Sequence, residues 1–278
     1  MFKNIKLLIA TKHQKELVIA PLFEKQLEVQ CFVNENFDTD LLGTFSGEIE
    51  RKLNVIETLR QKCLLAVKDT DFDLVVASEG SFGSHPTLFF ASADDEFLMF
   101  KDLKNDIEIV ARHLSIDTNF DSCLVKNQEN LEEFASKVKF PSHGIILKSS
   151  ENNPEVILKD SESLSDLFNN YQILKQNFYG VFAETDMRAN KNPTRMQVIS
   201  ETAQKLIEKI TCLCPNCQFP GYEIKEVNAG LPCDLCGLKT KSTLSYTYGC
   251  SKCDFKQEEF YPLGKKTEDP TYCDFCNP

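Results

Sequence analysis

Eight of the twelve cysteines form four pairs in which two residues separate the two thiols. Both thiolates of such a turn can reach one metal ion, and a second turn completes a tetrahedron of sulfur ligands. A full set of four thiolates leaves no position for water or substrate, which is typical of structural zinc. The sequence therefore predicts two structural Zn²⁺ ions, held by Cys214, Cys217, Cys233, Cys236, Cys250, Cys253, Cys273 and Cys276.

The numbers of residues between the pairs allow two assignments of the four pairs to the two ions. Each of the gaps Cys217–Cys233 and Cys253–Cys273 falls in the roughly 15–20-residue window of zinc ribbons. We therefore favour two sequential ribbons, in which the first pair joins the second and the third joins the fourth. The alternative is interleaved, with the first pair joining the third and the second joining the fourth. Cys212 is left over, as a bystander or a competing ligand.

Three polar segments follow predicted strands, which is where α/β sheets place their ligands. The first, ATKHQKE (10–16), offers the hydroxyl of Thr11 and the amine of Lys15 to a phosphate. The second, ASEGSFGSHP (77–86), combines Ser81 and two glycines with Glu79 as a metal ligand and His85 as a proton-transfer group. The structural alternative for the first segment is a polar helix start. For the second segment it is a well-hydrogen-bonded loop.

The third segment, ETDMRANKNPTR (184–195), precedes a predicted helix and carries both acids and bases. Arginines at a helix N-terminus are suited to a phosphate or carboxylate. We interpret Glu184 and Asp186 as catalytic, and Arg188, Asn192 and Arg195 as ligand-binding. The alternative is an internal ion-pair network of Arg188 with Glu184 or Asp186. A weaker fourth candidate is SGEIERK (46–52), where Glu48 and Arg51 are three residues apart.

These segments support a hypothesis about function and leave a rival open. The hypothesis is an enzyme that hydrolyses a phosphorylated small molecule, for example a nucleotide, with Mg²⁺ as its divalent cation. The rival is a non-catalytic ligand-sensing or adaptor protein whose ribbons contact protein or nucleic acid. Convergence of the second and third segments in one cleft would favour the enzyme, whereas separate ion pairs would disfavour it.

The composition limits the partners. The 278-residue chain has a net charge of −11, which disfavours phosphate neutralisation along a nucleic acid. Protein contact or a structural lid on the α/β domain is therefore the preferred role of the ribbons. A local basic patch could still be formed by Lys239, Lys241, Lys252, Lys256, Lys265 and Lys266. The apolar run at 5–10 is too short for a signal-peptide core, and no window is long enough for a membrane span. We expect a cytoplasmic protein without membrane contact.

The periodicity of apolar residues predicts alternating strands and helices before residue 211. Predicted strands lie at 6–10, 29–33, 73–78, 97–100, 107–116, 144–149, 155–160 and 178–184. Predicted helices lie at 14–27, 47–68, 128–139, 162–175 and 193–210. Antiparallel pairs among βα units indicate a mixed-sheet α/β (α+β) domain at 1–210, followed by a small double zinc-ribbon module at 211–278.

The motifs together resemble an uncharacterised bacterial family, known only as a domain of unknown function with a zinc-ribbon tail. The resemblance rests on ATKHQKE, GTFSGEIERK, SEGSFGSHP, ETDMRANKNPTRM and the CPNC…PG…LPCDLCG…CxxC…CxxC-Asn-Pro tail. It covers essentially the whole chain and implies the zinc-ribbon tail, but no activity.

The order of the N-terminal motifs is also similar to that of nucleoside-triphosphate pyrophosphatases that clear non-standard purine nucleotides. Their Ala-Thr…Lys…Glu phosphate loop corresponds to 10–16, with closer spacing here, and their Glu…Lys helix corresponds to Glu57 and Lys62. Their metal-binding Ala-x-Asp-Ser-Gly corresponds to 77–80, and Phe-Ala-Glu and Ser-His-Arg correspond to 182–184 and 193–195. The resemblance implies nucleotide hydrolysis with magnesium.

Overall fold

The computed structural model describes residues 1–34 and 53–278. The chain divides into two compact units, Met1–Ile207 (unit 1) and Glu208–Pro278 (unit 2). The candidate segment at 46–52 and the first part of the helix predicted at 47–68 lie outside the described residues. No helix in the described part of the chain is long and apolar enough to cross a membrane.

Unit 1 contains a five-stranded mixed sheet in the order β2-β1-β3-β4-β5. β1 runs parallel to β2 and β3, whereas β3, β4 and β5 are antiparallel. The strands are β1 (Lys6–Ala10), β2 (Gln30–Val33), β3 (Leu74–Ser84), β4 (Ser92–Asp102) and β5 (Ile107–Ser115). The associated helices are α1 (Glu16–Leu27) and α2 (Val55–Val67). The mixed sheet confirms the predicted fold class.

Alternate residues of this sheet face opposite sides, because side chains in a strand have a period of two. One face packs on α2, where Leu8, Val75 and Met99 meet Leu59 and Cys63 in a continuous core. On the other face, Arg195 of a later helix reaches β4. Side chains on the two faces of β3 and β4 therefore contact different residues, those of α2 on one face and Arg195 on the other.

β3 is longer than predicted. The glycines, serines and His85 of the segment 79–86 predict a loop, but residues 79–84 continue β3 and pair with β4 as far as Ser84↔Ser92. Continuous pairing with an antiparallel neighbour overrides the weak strand propensity of these residues. As a result, Ser78 and Gly80 lie on one face of the sheet, and Glu79 and Ser81 on the other.

A second, four-stranded sheet has the order β6-β9-β7-β8, with every neighbouring pair antiparallel. Its strands are β6 (Ser122–Val125), β7 (Ile145–Lys148), β8 (Ile157–Leu158) and β9 (Val181–Thr185). The helices α3 (Gln128–Lys137) and α4 (Leu164–Asn177) cover it, and Leu131, Leu167 and Tyr171 enter its core. α5 (Pro193–Thr211) then follows β9.

Unit 2 is built on a three-stranded antiparallel sheet in the order β10-β11-β12. The strands are β10 (Glu223–Ala229), β11 (Thr243–Gly249) and β12 (Lys256–Phe260). The four CxxC turns lie in the connections before, between and after these strands.

Candidate functional site: a pair of metal centres and a buried charge cluster

The eight paired cysteines form two clusters, each able to hold one metal ion. Within a cluster all four sulfurs lie within 4.8 Å of one another. The sulfurs of Cys217 and Cys250 are 3.6 Å apart, and those of Cys236 and Cys273 are 3.7 Å apart. Sulfurs at about 2.3 Å from a tetrahedral ion are about 3.8 Å apart, so both clusters have the dimensions of a four-thiolate metal site.

The clusters are interleaved, and the favoured sequential arrangement was wrong. The first cluster contains Cys214, Cys217, Cys250 and Cys253. The second contains Cys233, Cys236, Cys273 and Cys276. Cys212 belongs to neither and is exposed.

The antiparallel sheet of unit 2 explains this exchange of partners. β10 carries the chain away from the first turn, and its seven residues span roughly 23 Å. Because β11 runs back along β10, Glu223 pairs with Gly249, which brings the third turn to the first. β12 reverses direction again, and a bridge between Cys233 and Glu268 joins the final segment to the second turn. The number of residues between the first and second turns fits a zinc ribbon, but the strand β10 lies between these turns and separates them.

Backbone amides hold the thiolates in place. In the first cluster, the amides of Lys252 and Cys253 donate to Cys250 Sγ at 3.3 and 3.4 Å. In the first and second turns, the residue after the second cysteine is left-handed: Gln218 has φ 58° and Gly237 has φ 71°. These turns therefore present their sulfurs to an ion through the fold of the backbone itself.

Unit 1 contains a group of buried ionisable side chains, which we call the buried charge cluster. It consists of Lys15, Lys62, Glu79, Asp94, Glu96 and Arg195. They come from α2, β3, β4, α5 and the residue that directly precedes α1. Burial of a charge is unfavourable unless a partner compensates it, and the pairing within the cluster therefore determines its chemistry.

One face of the sheet holds the ion pair of Arg195 and Glu96. Their side chains are 1% and 0% exposed, and Arg195 Nε donates to Glu96 Oε1 at 2.7 Å. Arg195 also donates to the carbonyl of Met187 and lies over the ring of Phe82. A Cβ atom at Gly80 would collide with the Glu96 carboxylate, so the absence of a side chain there makes room for the acid.

The neighbouring partners are Lys62, Glu79 and Lys15. Lys62 of α2 pairs with Glu79 on the opposite face of β3, and its amine lies 3.4 Å from the carbonyl of Ser78. Lys15 donates to the hydroxyl of Ser78 at 3.0 Å. Among the residues that the structure describes, this lysine has no carboxylate within ion-pair distance.

Two members of the cluster have strongly shifted pKa values. Burial, reinforced by the charge of Arg195, lowers the pKa of Lys15 to about 7. Burial, reinforced by the charge of Glu96, raises the pKa of Asp94 to about 8. Both oxygens of Asp94 lack a hydrogen-bond partner among the described residues, and so does Glu96 Oε2. The cluster thus combines a weakened base with a weakened acid.

The family described as a domain of unknown function, DUF6671, matches residues 62–278. The chain belongs to this family. The matched region contains all eight paired cysteines and every member of the buried charge cluster except Lys15. No curated protein matches the chain, and the likeness to pyrophosphatases stays a prediction.

Among the predicted site residues, Lys15, Glu79 and Arg195 enter the buried charge cluster. Thr11 is buried, and its hydroxyl donates to the carbonyl of Lys12 at 3.1 Å. Ser81 lies on the opposite face of β3 from Ser78 and is partly exposed.

His85 has a local structural role. Its Nδ1 accepts the amide hydrogens of Thr87 and Leu88 at 3.2 and 3.0 Å, which organises the turn between β3 and β4.

The remaining predicted residues form pairs of their own near the second sheet. Arg188 contacts Asp186 at 2.6 Å and Asp160 at 2.8 Å, as in the alternative ion-pair network. Glu184 pairs with Lys148 at 2.7 Å. Asn192 accepts the amide of Arg195 at 3.0 Å and so caps the start of α5. Arg188 therefore forms ion pairs with both Asp186 and Asp160.

Asp94 and Glu96 were missed because they precede the apolar run that identified β4. The sequence SADDEFLMF (92–100) contains a pattern that could have identified them, because three acidic residues stand directly before the apolar part of a strand. A period of two places the first and third acids on one face, and such a pair pointing toward a core is unusual enough to mark a site.

Proposed function

We propose that unit 1 binds a small phosphorylated molecule at the buried charge cluster, and that unit 2 is a zinc-stabilised module. The observation that carries the first part is Lys15, a buried lysine whose partner is the neutral hydroxyl of Ser78. A phosphate at this position would supply the anion that a buried ammonium requires.

The location supports an anionic ligand. Lys15 follows the carboxyl end of β1, and Ser78 lies where β3 passes the end of its parallel pairing with β1. The carboxyl ends of parallel strands are where open α/β sheets bind ligands. Arg195 lies nearby, since its charge contributes to the pKa of Lys15, and adds a second cation. Nucleotides belong to this ligand class, and Mg²⁺ is the cation that accompanies their phosphates.

Hydrolysis of a phosphoanhydride is the reaction that we propose for this site. A divalent cation bound with the ligand would polarise the phosphoryl oxygens and activate water, and attack of this water on phosphorus would break the bridging P–O bond and release phosphate or pyrophosphate. Glu79 is paired with Lys62, and the role that we propose for it is to hold that lysine beside Ser78. Glu184, Asp186 and Arg188 have no part in the proposed site, because they form ion pairs with Lys148, with Asp160 and with each other, outside the buried charge cluster.

Zinc is the ion proposed for both clusters of unit 2. Four thiolates in a tetrahedron suit Zn²⁺ and leave no open position, so the ions are structural. Eight reduced thiols are maintained in a reducing compartment, which supports the cytoplasm as the location.

The first experiment uses the zinc-loaded, full-length protein. Pyrophosphate and a panel of nucleoside triphosphates are titrated by calorimetry with Mg²⁺ present, and phosphate release is followed in parallel. Lys15→Met should abolish binding, whereas Lys25→Met, at an exposed position of the helix α1 that follows Lys15, should leave it unchanged. Equal affinity of wild type and Lys15→Met would overturn the proposal, as would the absence of binding by every phosphate compound.

Protein binding by unit 2 is a second candidate, favoured by one specific observation. Leu235 and Phe275 occupy the two turns of the second metal cluster and are 75% and 71% exposed. Apolar side chains at adjacent exposed turns are typical of protein contact surfaces. A photo-crosslinking residue at position 275 should capture one defined protein in cells, and Leu235→Asp should abolish capture. Uniform, unsaturable crosslinking would reject this candidate.

A further inference from the structure

Asp94 and Glu96 have a geometry that the ion pairs of the buried charge cluster do not explain. The two acids are both 0% exposed and lie two residues apart on β4. Residues i and i+2 of a strand point to the same face, with Cα atoms roughly 6.6 Å apart. Two carboxylates at this separation can both contact one ion placed between them.

Three of their four oxygens have no hydrogen-bond partner within residues 1–34 and 53–278. The fourth, Glu96 Oε1, accepts from Arg195, which fixes the orientation of this carboxylate. A buried carboxylate without partners is costly, because it loses hydration and gains nothing in return. The arrangement is therefore incomplete without a cation or a bound proton.

We propose that Asp94 and Glu96 are the protein ligands of a divalent cation, Mg²⁺ or Mn²⁺, that binds together with the phosphorylated ligand. This inference rests on the proposed function and adds to it the residues that hold the metal. Carboxylate oxygens are the preferred ligands of both ions.

The small number of protein ligands fits this chemistry. Mg²⁺ is usually bound through one or two carboxylates, with water and substrate phosphate completing its octahedron. In the described part of the chain, the two four-cysteine clusters are the only groups of three or more His, Cys, Asp or Glu residues able to surround an ion. Asp94 and Glu96 therefore form an open site that a ligand must complete, not a closed cage.

The adjacent cations explain why metal and phosphate should bind together. Lys15 and Arg195 both act electrostatically on Asp94, and they would repel a metal ion that arrived alone. A phosphate placed between the lysine and the metal would neutralise both. The proposed site thus has acids on β4, cations directly before α1 and on α5, and the ligand between them.

A bound proton is the competing explanation for Asp94. Desolvation and the charge of Glu96 favour the protonated acid in the absence of metal. Metal binding must then displace this proton. The two explanations differ in a measurable way, because a protonated acid with a purely structural role would bind no cation.

The test is titration of Mn²⁺ into the zinc-loaded, full-length protein, followed by electron paramagnetic resonance, without and with inorganic pyrophosphate. We expect one tight Mn²⁺ site with pyrophosphate and weaker binding without it. Asp94→Asn should weaken Mn²⁺ binding by more than the roughly 10–100-fold loss typical of outer-shell changes. Glu96→Gln should act in the same direction.

Asp95→Asn is the matched control, since Asp95 lies between the two acids on the opposite face and pairs with Arg112. This variant should bind Mn²⁺ as the wild type does. Zinc content and circular dichroism verify that each variant is folded. Wild-type affinity in Asp94→Asn would overturn the inference.

The same titrations separate this inference from the proposed function. If pyrophosphate binds through Lys15 but no Mn²⁺ accompanies it, the cation site is wrong and the phosphate site stands. If Mn²⁺ binds through Asp94 but pyrophosphate does not bind, the cation site stands and the proposed ligand class is wrong.

Discussion

The four-cysteine metal clusters of unit 2, each able to hold one ion, and the buried charge cluster of unit 1 draw their side chains from the sequence in different ways. Each metal cluster takes four identical thiols from two short turns. The buried charge cluster takes six side chains of four types from α2, β3, β4, α5 and the residue before α1. Local sequence spacing therefore identifies the first kind of site, whereas only the tertiary fold assembles the second. Removal of one cysteine should therefore affect only the turns that share its metal ion in unit 2. Removal of one charged side chain should affect several helices and strands of unit 1.

The largest expected effect is the loss of a metal ion, and it also tests the interleaved pairing. Cys214→Ser with Cys250→Ser removes two ligands from one ion, and this variant should retain one zinc. Cys214→Ser with Cys233→Ser damages both ions and should retain none. Each structural ion contributes about 10–16 kcal/mol of apparent binding free energy in small zinc domains, so the affected part of unit 2 should unfold.

Native mass spectrometry gives the zinc count of both double variants directly. Sequential ribbons would give the reverse result, with one zinc in the Cys214/Cys233 variant and none in the Cys214/Cys250 variant. That outcome would contradict the antiparallel register Glu223↔Gly249 that brings the first and third turns together.

The second largest effect is expected from the buried ion pair of unit 1. Arg195→Met leaves the Glu96 carboxylate and the Met187 carbonyl without their donor, and breaking such a pair should cost about 3–5 kcal/mol. Arg112→Met removes the exposed partner of Asp95 and should cost no more than about 1 kcal/mol. Urea unfolding monitored within unit 1 compares the two variants, and equal losses would show that burial does not strengthen the pair.

Asp94→Asn should stabilise unit 1 at alkaline pH. The folded-state pKa of Asp94 is raised to about 8, so the folded protein holds a proton that the unfolded chain releases near pH 4. Stability contributed by this proton is present at low pH and is lost as pH rises through 8. The variant should therefore gain little at pH 4 and most at pH 9, by a few kcal/mol. A gain independent of pH in urea titrations would mean that Asp94 keeps its ordinary pKa.

Lys15→Met should show the opposite pH dependence. The pKa of Lys15 is lowered to about 7 on folding, so the unfolded chain binds more protons between pH 7 and about 10.5. The penalty of the buried ammonium is complete below pH 7 and disappears as pH rises through this window. Methionine should therefore stabilise the protein at pH 6 and have little effect at pH 10. A stabilisation that instead grows with pH would rule out an uncompensated lysine at this position.

The sequence predicted most of the fold because its elements have clear local signals. The apolar run of β1 and the helical spacing of α2 both identify buried faces without knowledge of neighbours. The extension of β3 through Gly80 and Gly83 could not be predicted, since pairing with β4 and not local propensity makes it a strand.

The candidate site was predicted only in part for the same reason. Lys15, Glu79 and Arg195 were identified because each follows a strand or begins a helix. Their partners depend on the sheet register, which places Gly80 opposite Glu96 and thereby brings Arg195 to that acid. For the cysteines, the spacing identified every ligand but not the pairing, because it does not reveal that β10 separates the first two turns.

The smallest expected effect tests whether the metal or the turn determines the cysteine geometry in unit 2. Gln218 and Gly237 occupy equivalent left-handed positions after the second cysteine of their turns, yet only one is glycine. A side chain in this conformation costs roughly 1–2 kcal/mol, part of which glycine loses again through the greater freedom of the unfolded chain. Gln218→Gly should therefore raise the midpoint of zinc release by a chelator slightly, and Gly237→Gln should lower it by a similar amount. If neither variant shifts the midpoint, the four sulfur–metal bonds alone determine the turn, and the contrast with the buried charge cluster becomes sharper.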